Sequence, residues 1–337
     1  MKKIILFVSI LSVFSCRKEV GPQSNNNTNN TEVYYDVLIG CEGNFGTGNG
    51  SLSAYSSSSN DLVNNYFDQI NNYPLGDVVQ SVEAIGGNLY IVVNNSGKIE
   101  VVDSASYISQ GTITGFISPR EIRKVDNGIA YVTDLYSNSI QVVDLVDNTI
   151  VSSIGVSGWT ESILVNNGFA YVSSPGSNLI YKIDVTSHLL VDSINTGFSP
   201  LNLVLDKNND LWVACSGNWG ANDGTLERIN LNTFLADQVV QLNASASELC
   251  INGDLNLLYW LSGGVYQMDV EQSSSSELIA ASSGYFYGLG VHPVSGEVYV
   301  ADAMDFVQAG KLFRYNNIGE VLDSATIGIN PNAIFFK

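Results

Sequence analysis

A short apolar motif centred on an aromatic residue recurs along the chain at nearly constant spacing, and this repeat constrains the fold more than any other feature. The motif is clear in Leu89–Val92 and again in Val298–Val300. Repeats of about 40 residues that contain only strand-like segments are typical of β-propellers, in which each repeat forms one four-stranded blade. The six central aromatics are Tyr90, Tyr131, Tyr171, Trp212, Tyr259 and Tyr299, which are 41, 40, 41, 47 and 40 residues apart.

Each repeat contains four segments of alternating apolar and polar residues, separated by turns rich in Asn and Gly. This alternation favours β-strands over helices. The repeat that contains Tyr131 illustrates the pattern. It predicts an inner strand Glu121–Val125, a turn Asp126–Gly128 and a second strand around Tyr131. A third strand Ile140–Asp144 and an outer strand Ile150–Ile154 follow. Several third strands end in Asp, and we expect its side chain to organise the following turn. These residues are Asp103, Asp144, Asp184 and Asp269.

The two ends of the repeat region predict a seventh blade. Residues 33–337 are long enough for seven repeats, although only six carry the aromatic motif. Asp36–Ile39 is typical of a second strand, with Ser51–Tyr55 and Leu62–Phe67 as the third and fourth strands, and Asn332–Phe336 is typical of an inner strand. We therefore expect an all-β, seven-bladed β-propeller that is closed by pairing of its N- and C-terminal segments, which leaves no open sheet edge at the junction.

The N-terminus is typical of a targeting segment. Lys2 and Lys3 precede an apolar run that is too short to span a membrane, and the run leads to Cys16 after a small residue. We interpret residues 1–15 as a lipoprotein signal peptide, residues 16–32 as the lipidated Cys16 with a disordered Asn-rich tether, and residues 33–337 as the propeller. The alternative is an ordinary secretory signal with an accidental Cys. The first interpretation predicts an outer-membrane protein, exposed at the cell surface and held there through its N-terminal lipid alone.

The charge and the residue usage exclude several classes of function. The chain carries 14 basic and 33 acidic residues and a net charge of −19, so a nucleic acid would be repelled. The four Cys are too few and too scattered for a disulfide scaffold, although a disulfide between Cys215 and Cys250 on neighbouring blades stays open. The two His, His188 and His292, are far apart, and we expect a structural role for His292 in a tight inner hairpin and no metal site.

The loop between the second and third strands varies in length from blade to blade. It is long in blades 1, 5 and 7 and shortest in blade 6. In a propeller this loop shares one face with the connections between blades, so its variation is concentrated on that face. We therefore predict a depression over blade 6, with walls from Cys41–Gly46, Cys215–Gly224 and Asp302–Gly310.

The residues on this face combine aromatic rings with Asn, Asp and Glu side chains. They suit a large neutral ligand with flat apolar faces and an edge of amides or hydroxyls. For any single aromatic, the alternative is that it fills the base of a loop. The interblade connections add Arg120, Asn202 and Asn330 to the same face. The candidate ligand-binding residues are Glu42, Asn44, Phe45, Tyr73, Asp134, Tyr136, Trp159, Glu161, Trp219, Tyr285, Tyr287, Asp302 and Phe306.

Catalysis is the less favoured interpretation of this face. A nucleophile needs a nearby general base, and neither His is expected there. Carboxylates such as Glu42, Glu161, Asp134, Asp302 and Asp305 are suited to acid–base or calcium chemistry, but carboxylates are also common in solvated loops. We expect a binding protein without a cofactor, a catalytic residue or a metal.

The sequence resembles the YncE-like, YVTN-type seven-bladed propeller lipoproteins of bacterial outer membranes. Members of the BtuG type capture cobalamin at the cell surface above a BtuB-like, TonB-dependent transporter. The resemblance therefore implies capture of a corrinoid and its transfer to such a transporter, and the alternative is a glycan-binding or protein-interaction propeller of the cell surface. The segments that carry the resemblance are the N-terminal signal with Cys16, Glu42–Gly46, Pro74–Ser81, Tyr131–Asn138, Gly158–Glu161, Phe286–Gly290 and Tyr299–Ala303.

Overall fold

The computed structural model describes residues 33–337, which form seven four-stranded sheets in which neighbouring strands are antiparallel. The predicted all-β, seven-bladed propeller is therefore confirmed. The predicted signal peptide 1–15, the lipidated Cys16 and the tether lie outside the described residues. Within residues 33–337, no helix has the length and the apolar character needed to cross a membrane.

The strands follow one another from the inner to the outer edge of each blade. Blade 1 contains β1 (Val37–Cys41), β2 (Ser51–Tyr55) and β3 (Leu62–Val63), and blade 2 contains β4 (Val79–Ile85), β5 (Asn88–Val93), β6 (Lys98–Asp103) and β7 (Ser109–Thr114). Blade 3 contains β8 (Pro119–Asp126), β9 (Ile129–Asp134), β10 (Ser139–Asp144) and β11 (Thr149–Gly155), and blade 4 contains β12 (Ile163–Asn166), β13 (Phe169–Ser174), β14 (Leu179–Asp184) and β15 (Leu189–Asn195). Blade 5 contains β16 (Pro200–Leu205), β17 (Leu211–Cys215), β18 (Thr225–Asn230) and β19 (Leu235–Gln241), and blade 6 contains β20 (Ser247–Ile251), β21 (Leu257–Ser262), β22 (Gly264–Asp269) and β23 (Ser276–Ile279). Blade 7 contains β24 (Phe286–Val291), β25 (Val298–Asp302), β26 (Ala309–Tyr315) and β27 (Val321–Ile329), and β28 (Pro331–Phe336) completes blade 1.

The C-terminal strand β28 closes the ring. It is the inner strand of blade 1 and pairs antiparallel with β1, with Val37 opposite Phe336 and Ile39 opposite Ile334. It also packs against the inner strands β24 and β4 of the two adjacent blades. The predicted closure through the two ends of the chain is therefore confirmed.

The outer part of blade 1 differs from the prediction. The predicted fourth strand Leu62–Phe67 pairs only at Leu62 and Val63, and the chain then forms a short helix, α1 (Tyr66–Asn71). Asn65 adopts a left-handed backbone conformation with φ of 52°, which turns the chain out of the sheet. Phe67 is then buried against Leu75 and neighbouring residues of blades 1 and 2. The helix forms because this packing outweighs the local strand-like pattern.

The repeated aromatics form the packing layers between the blades. Tyr131, Trp212 and Tyr299 are fully buried, and Trp212 donates a hydrogen bond from Nε1 to Asp206 Oδ2 at 2.9 Å. Seven apolar clusters join each blade to its neighbours. The repeat is therefore a signal of the core, as expected for β-forming residues at one interior position.

The turns at the ends of the third strands are organised by Asp, as predicted. Asp144 Oδ1 accepts hydrogen bonds from the backbone N–H groups of Val146 and Asp147 at 2.7 and 3.1 Å. Asp103, Asp184 and Asp269 make the same kind of contact. His292 Nδ1 accepts the N–H groups of Val294 and Ser295, so this side chain has the expected structural role.

Candidate ligand-binding site at the ring centre

A cavity of about 740 Å³ lies at the centre of the ring, lined by residues from all seven blades. The loop lengths follow the prediction, since Gly263 alone links β21 to β22 in blade 6, whereas residues 42–50, 216–224 and 303–308 link the corresponding strands of blades 1, 5 and 7. The cavity is nevertheless not confined to blade 6. The inner strands of all seven blades surround the axis, and the cavity lies between them. The depression that the sequence predicted over blade 6 is therefore part of a larger central cavity.

A recurring β-bulge directs one side chain of each inner strand toward the cavity. Six of the seven inner strands contain one extra residue near their first pair, for example between Val79 and Ser81 and between Phe286 and Gly288. A bulge leaves a residue unpaired and changes the direction of its side chain. In blade 4, Glu161 lies two residues before β12 and also lines the cavity. We call these seven cavity-lining residues the axial ring: Asn332, Gln80, Arg120, Glu161, Leu201, Glu248 and Tyr287.

One part of the axial ring is an ion-paired network around Arg120. The Arg120 guanidinium donates to both carboxylate oxygens of Glu161, with Nε–Oε1 at 2.8 Å, and to Gln80 Oε1 at 2.5 Å. Trp159 Nε1 donates to Glu161 Oε2 at 2.6 Å. Burial opposes the charged form of Arg120, but the Glu161 carboxylate outweighs it and raises the pKa of the guanidinium. The two oxygens of the Glu161 side chain are therefore engaged by Arg120 and Trp159.

A second network joins two residues of the axial ring, Tyr287 and Asn332, to Glu42, which follows β1. Its carboxylate accepts hydrogen bonds from Tyr287 Oη at 3.1 and 3.2 Å and from Asn332 Nδ2 at 2.9 Å. Burial raises the pKa of Glu42, and burial also raises the pKa of Tyr287, to which the nearby Glu42 charge contributes. Among residues 33–337, Glu42 has no basic ion-pair partner.

An aromatic cluster stands beside this second network. The rings of Tyr285 and Phe306 lie 5.0 Å apart, and Phe306 lies 5.3 Å from Tyr287. Asn44 Nδ2 donates to the backbone oxygen of Phe306 at 3.3 Å, which joins the long loops of blades 1 and 7. Phe45 lines the cavity with 77% of its surface exposed. This edge of the cavity therefore offers aromatic faces to a ligand.

Glu248 and Leu201 occupy the gap between the two networks. The Glu248 side chain makes no hydrogen bond or ion pair with any residue between 33 and 337, and its backbone is left-handed, with φ of 53°. Burial raises the pKa of Glu248 to about 8, and the carboxylates of Glu161, Glu121 and Glu42 act in the same direction against Arg120. Glu248 is therefore the one acidic member of the axial ring that is left without a partner.

Three residues of the cavity lining have a buried amide oxygen without a hydrogen-bond donor among residues 33–337. Asn330 donates from Nδ2 to Gly43 O at 2.8 Å and Asn332 donates to Glu42, yet the Oδ1 atoms of both residues are buried and unpaired. Asn202 Oδ1 is in the same state. Buried polar atoms nearly always have partners, so these three oxygens are exceptions among the residues of the cavity lining.

The candidate residues from the sequence fall into three groups. Glu42, Phe45, Trp159, Glu161 and Tyr287 line the cavity. Asn44, Tyr285 and Phe306 contact each other or Tyr287 beside it. Tyr73, Asp134, Tyr136, Trp219 and Asp302 are not among the lining residues.

The two candidate Asp residues outside the cavity are buried and hold loops in place. Asp134 accepts four backbone N–H groups, from residues 117, 118, 136 and 137, at 2.9 to 3.0 Å. Asp302 accepts the N–H groups of Tyr285 and Met304 at 2.8 and 2.7 Å and the Ser282 hydroxyl at 2.6 Å. Their carboxylates therefore position the loops around the cavity rather than face it.

The remaining aromatic candidates lie elsewhere on the surface. Tyr73 donates its hydroxyl to Glu100 Oε1 at 2.8 Å and packs against Phe67. Tyr136 is 73% exposed, and Trp219, in the long loop of blade 5, is fully exposed. None of the three is brought close to the axial ring.

Four residues of the cavity lining were not expected from the sequence to face a ligand: Gln80, Leu201, Glu248 and Asn332. Three more were expected on this face but were not candidate ligand-binding residues: Arg120, Asn202 and Asn330. The available signal was positional. Six residues of the axial ring come one residue after the Pro, Ser or apolar residue at which an inner strand begins, as in Pro119–Arg120, Pro200–Leu201 and Ser247–Glu248, and the exception is Glu161, which precedes its strand. An alignment of the seven inner strands would have placed all of them at one level.

The cysteines of residues 33–337 are free thiols, so Cys215 and Cys250 do not form the disulfide that the sequence left open. Burial raises the pKa of Cys41 and of Cys215 to about 12 and raises that of Cys250 as well. Among the described residues, no group of three His, Cys, Asp or Glu side chains converges closely enough to hold a metal ion.

The fold and the site together define a closed seven-bladed β-propeller with a polar cavity on its axis. The chain belongs to the family described as "Domain of unknown function (DUF5074)", whose model matches residues 35–331. No curated protein matches the chain.

Solved structures with similar folds share little sequence with this chain. A quinonprotein alcohol dehydrogenase-like protein from Bacteroides thetaiotaomicron is 17% identical with a TM-score of 0.71, over 88% of this chain and 78% of that one. A functionally unknown protein from Desulfotomaculum acetoxidans is 13% identical with a TM-score of 0.70, over 90% and 99%. Hydrazine synthase from Kuenenia stuttgartiensis is 15% identical with a TM-score of 0.64, over 74% and 86%. At these identities the similarity shows the fold alone.

Proposed function

We propose that this propeller captures a ligand in its axial cavity. The observation that carries the proposal is the cavity of about 740 Å³, whose lining includes Glu248, which has no side-chain partner among residues 33–337, and Asn202, Asn330 and Asn332, whose amide oxygens lack donors there. A concave site with a few convergent polar groups is the usual form of a small-molecule site. The unpaired oxygens cost stability in the empty protein, and a ligand with donors removes that cost.

The ligand we propose is a corrinoid such as cobalamin. A corrin ring offers two apolar faces, which match the rings of Tyr285, Phe306 and Phe45, and a rim of primary amides, which match the unpaired oxygens. The resemblance to surface propeller lipoproteins supports the same ligand. It also supports an outer-membrane location through lipidated Cys16 and transfer of the ligand to a TonB-dependent, BtuB-like transporter.

We propose capture without chemical conversion. The carboxylates nearest the aromatics are engaged in hydrogen bonds, and the three described thiols have raised pKa values, which disfavours the nucleophilic thiolate. Both His are in turns away from the cavity lining. These observations support a binding role, and turnover of a glycoside that is lost in Glu42→Gln would contradict it, because Glu42 lines the cavity.

Calorimetric titration with cyanocobalamin tests the ligand. We expect binding at micromolar concentration, and Phe306→Ala should weaken it by about tenfold because a packed aromatic contact is lost. Trp219→Ala is the matched control, since that exposed ring lies outside the cavity and its removal should leave the affinity unchanged.

Two results would contradict this assignment. Absence of cyanocobalamin binding together with binding of a neutral glycan would replace the corrinoid by the glycan alternative, because sugar rings also stack on aromatic faces. Loss of binding in Trp219→Ala with no effect of Phe306→Ala would move the site to the loop of blade 5.

The location and the partner are tested in cells. We expect Cys16→Ser to abolish lipid labelling and to release the protein from the outer membrane. We also expect the wild-type protein, solubilised in detergent, to co-purify with a TonB-dependent transporter. A protein that stays in the membrane fraction after Cys16→Ser would contradict the lipid anchor.

A further inference from the structure

We propose that the axial cavity selects a ligand group with a protonated amine and that Glu248 is the residue that receives this ammonium group. The inference rests on the proposed function in taking the axial cavity as the place where the ligand enters. It specifies that the part of the ligand next to the axial ring is positively charged. The proposal of a corrinoid does not specify this charge.

The charges that line the cavity do not balance. Four carboxylates line it, at Glu42, Glu121, Glu161 and Glu248, against two guanidinium groups, at Arg120 and Arg123. Both guanidinium groups are already engaged, because Arg120 pairs with Glu161, and Arg123 pairs with Glu83 and lies 3.9 Å from Glu121. Glu42 and Glu248 are left without a basic partner. The lining therefore holds more carboxyl groups than basic groups that could pair with them, and a cationic ligand group would supply a partner.

The hydrogen-bonding groups of the lining show the same bias. The buried side-chain atoms of the lining that lack a hydrogen-bond partner among residues 33–337 are acceptors, namely the Oδ1 atoms of Asn202, Asn330 and Asn332, and Glu248 adds a carboxyl group without a partner there. A primary ammonium group has three donors and no acceptor, and it matches this set better than a hydroxyl or a carboxylate does.

An organic cation fits the geometry better than a metal ion. Within the part of the chain that is described, no three acidic, His or Cys side chains come together as a metal site requires. The carboxylates are instead distributed around the axial ring, with Trp159 and Tyr287 between them. Aromatic rings beside the carboxylates add a favourable interaction with an ammonium group, but not with a strongly hydrated metal ion.

The charge of Glu248 should depend on the ligand. Burial and the carboxylates of Glu161, Glu121 and Glu42 raise its pKa to about 8, against the opposing effect of Arg120. Glu248 is therefore protonated in the empty protein at neutral pH, and an ammonium group must displace that proton. The affinity for a cation should rise as the pH approaches about 8 and level off above it.

A pair of probes that differ mainly in charge tests the inference. We choose tyramine, which carries a primary ammonium group, and tyrosol, which has a hydroxyl in its place, and measure their affinities by NMR titration. We expect tyramine to bind at least about tenfold more tightly than tyrosol, because a charge-assisted hydrogen bond replaces a neutral one. We expect the preference to grow between about pH 6 and about pH 8.5.

Two variants assign the effect to the cavity. Glu248→Gln should abolish both the preference for tyramine and its pH dependence, while binding of tyrosol persists. Glu277→Gln is the matched control, since Glu277 lies exposed on the outer strand of the same blade. It removes one negative charge from the protein and should leave the preference intact.

The outcomes separate this inference from the corrinoid assignment. Equal binding of the two probes to the wild-type protein, or an unchanged preference in Glu248→Gln, would overturn the inference. Cyanocobalamin binding that depends on Phe306, without any preference for tyramine, would also overturn it while leaving ligand capture in place. Preference for tyramine that depends on Glu248, without cobalamin binding, would support it and reject the corrinoid.

Discussion

Replacing Glu248 by Gln should stabilise the empty propeller at alkaline pH. The side chain lies in the axial ring without a hydrogen bond or an ion pair among the described residues, and its pKa is raised to about 8. A raised carboxyl pKa means that the folded state holds the proton more tightly than the unfolded state. The carboxylate therefore destabilises the fold once the pH exceeds the ordinary Glu value, and the cost grows until the folded group ionises as well.

The size of the effect follows from the difference between the two pKa values. Against an ordinary Glu pKa of about 4.3, a folded value near 8 corresponds to an upper bound of roughly 5 kcal/mol at 1.36 kcal/mol per pH unit. The cavity admits water, which reduces the penalty, so we expect the Gln variant to gain about 2–4 kcal/mol in free energy of unfolding above pH 8. Near pH 4 the two proteins should be equally stable, because Glu248 is protonated in both states.

Urea denaturation of both proteins between about pH 4 and about pH 9 measures this difference. Glu100→Gln is a matched control with the opposite sign. Burial opposes its charged form, but hydrogen bonds from Ser109, Lys98 and Tyr73 lower the pKa of Glu100. That carboxylate stabilises the fold above the ordinary Glu pKa, and its contribution is lost as the pH falls. Glu100→Gln should therefore destabilise the protein at neutral pH, by an amount that shrinks in acid.

A stability gain of Glu248→Gln that does not vary with pH would refute this reasoning, because it would have another origin than ionisation. A loss of stability above pH 8 would refute it more directly. In that case the Glu248 carboxylate would have a donor in the empty protein, and its role as the vacant acceptor of the cavity would fail with it.

Further predictions concern the ring and its loops. Deletion of residues 331–337 removes the inner strand of blade 1 and should abolish cooperative thermal unfolding; a sharp transition at the wild-type temperature would contradict closure by β28. Asp134→Ala leaves four backbone N–H groups without an acceptor and should lower the free energy of unfolding by about 3 kcal/mol, whereas the exposed Asp147→Ala should have little effect. A Cβ at Gly253 would lie 1.7 Å from Pro293 O, so Gly253→Ala should lower the melting temperature clearly more than Gly87→Ala, where no atom lies within 4 Å; equal effects would show that the contact between blades 6 and 7 yields easily.

The repeat predicted the fold because the same physical requirement recurs in every blade. Tyr131, Trp212 and Tyr299 fill equivalent interior positions, and a β-forming aromatic at a fixed interval leaves few other architectures open. The closure was predictable for the same reason, since an incomplete blade at each end implies pairing between them. Helix α1 was not predictable from alternation alone. It depends on the left-handed turn at Asn65 and on the burial of Phe67 by distant residues.

The candidate site was only partly predictable. Loop lengths and aromatics indicated the correct face, and they identified Glu42, Trp159, Glu161 and Tyr287 as lining residues. Asp134 was expected on the same face, but its carboxylate oxygens accept hydrogen bonds from backbone N–H groups. Such contacts cannot be predicted from the sequence. Glu248 was not predicted because a single Glu after a loop does not by itself indicate a binding residue. Its position in the cavity lining becomes evident only when it is compared with the equivalent residues of the other six blades.

The bulges explain why the axial ring carries so varied a set of side chains. A residue in a regular inner strand must pair with its neighbour and pack between blades, and those demands keep such positions apolar and similar. A bulged residue is released from the ladder and points to the axis. The fold therefore tolerates Asn, Gln, Arg, Glu, Leu and Tyr at equivalent positions. Because the strand ladder does not dictate these side chains, their combined chemistry can differ from blade to blade, as the proposed ligand-binding role requires.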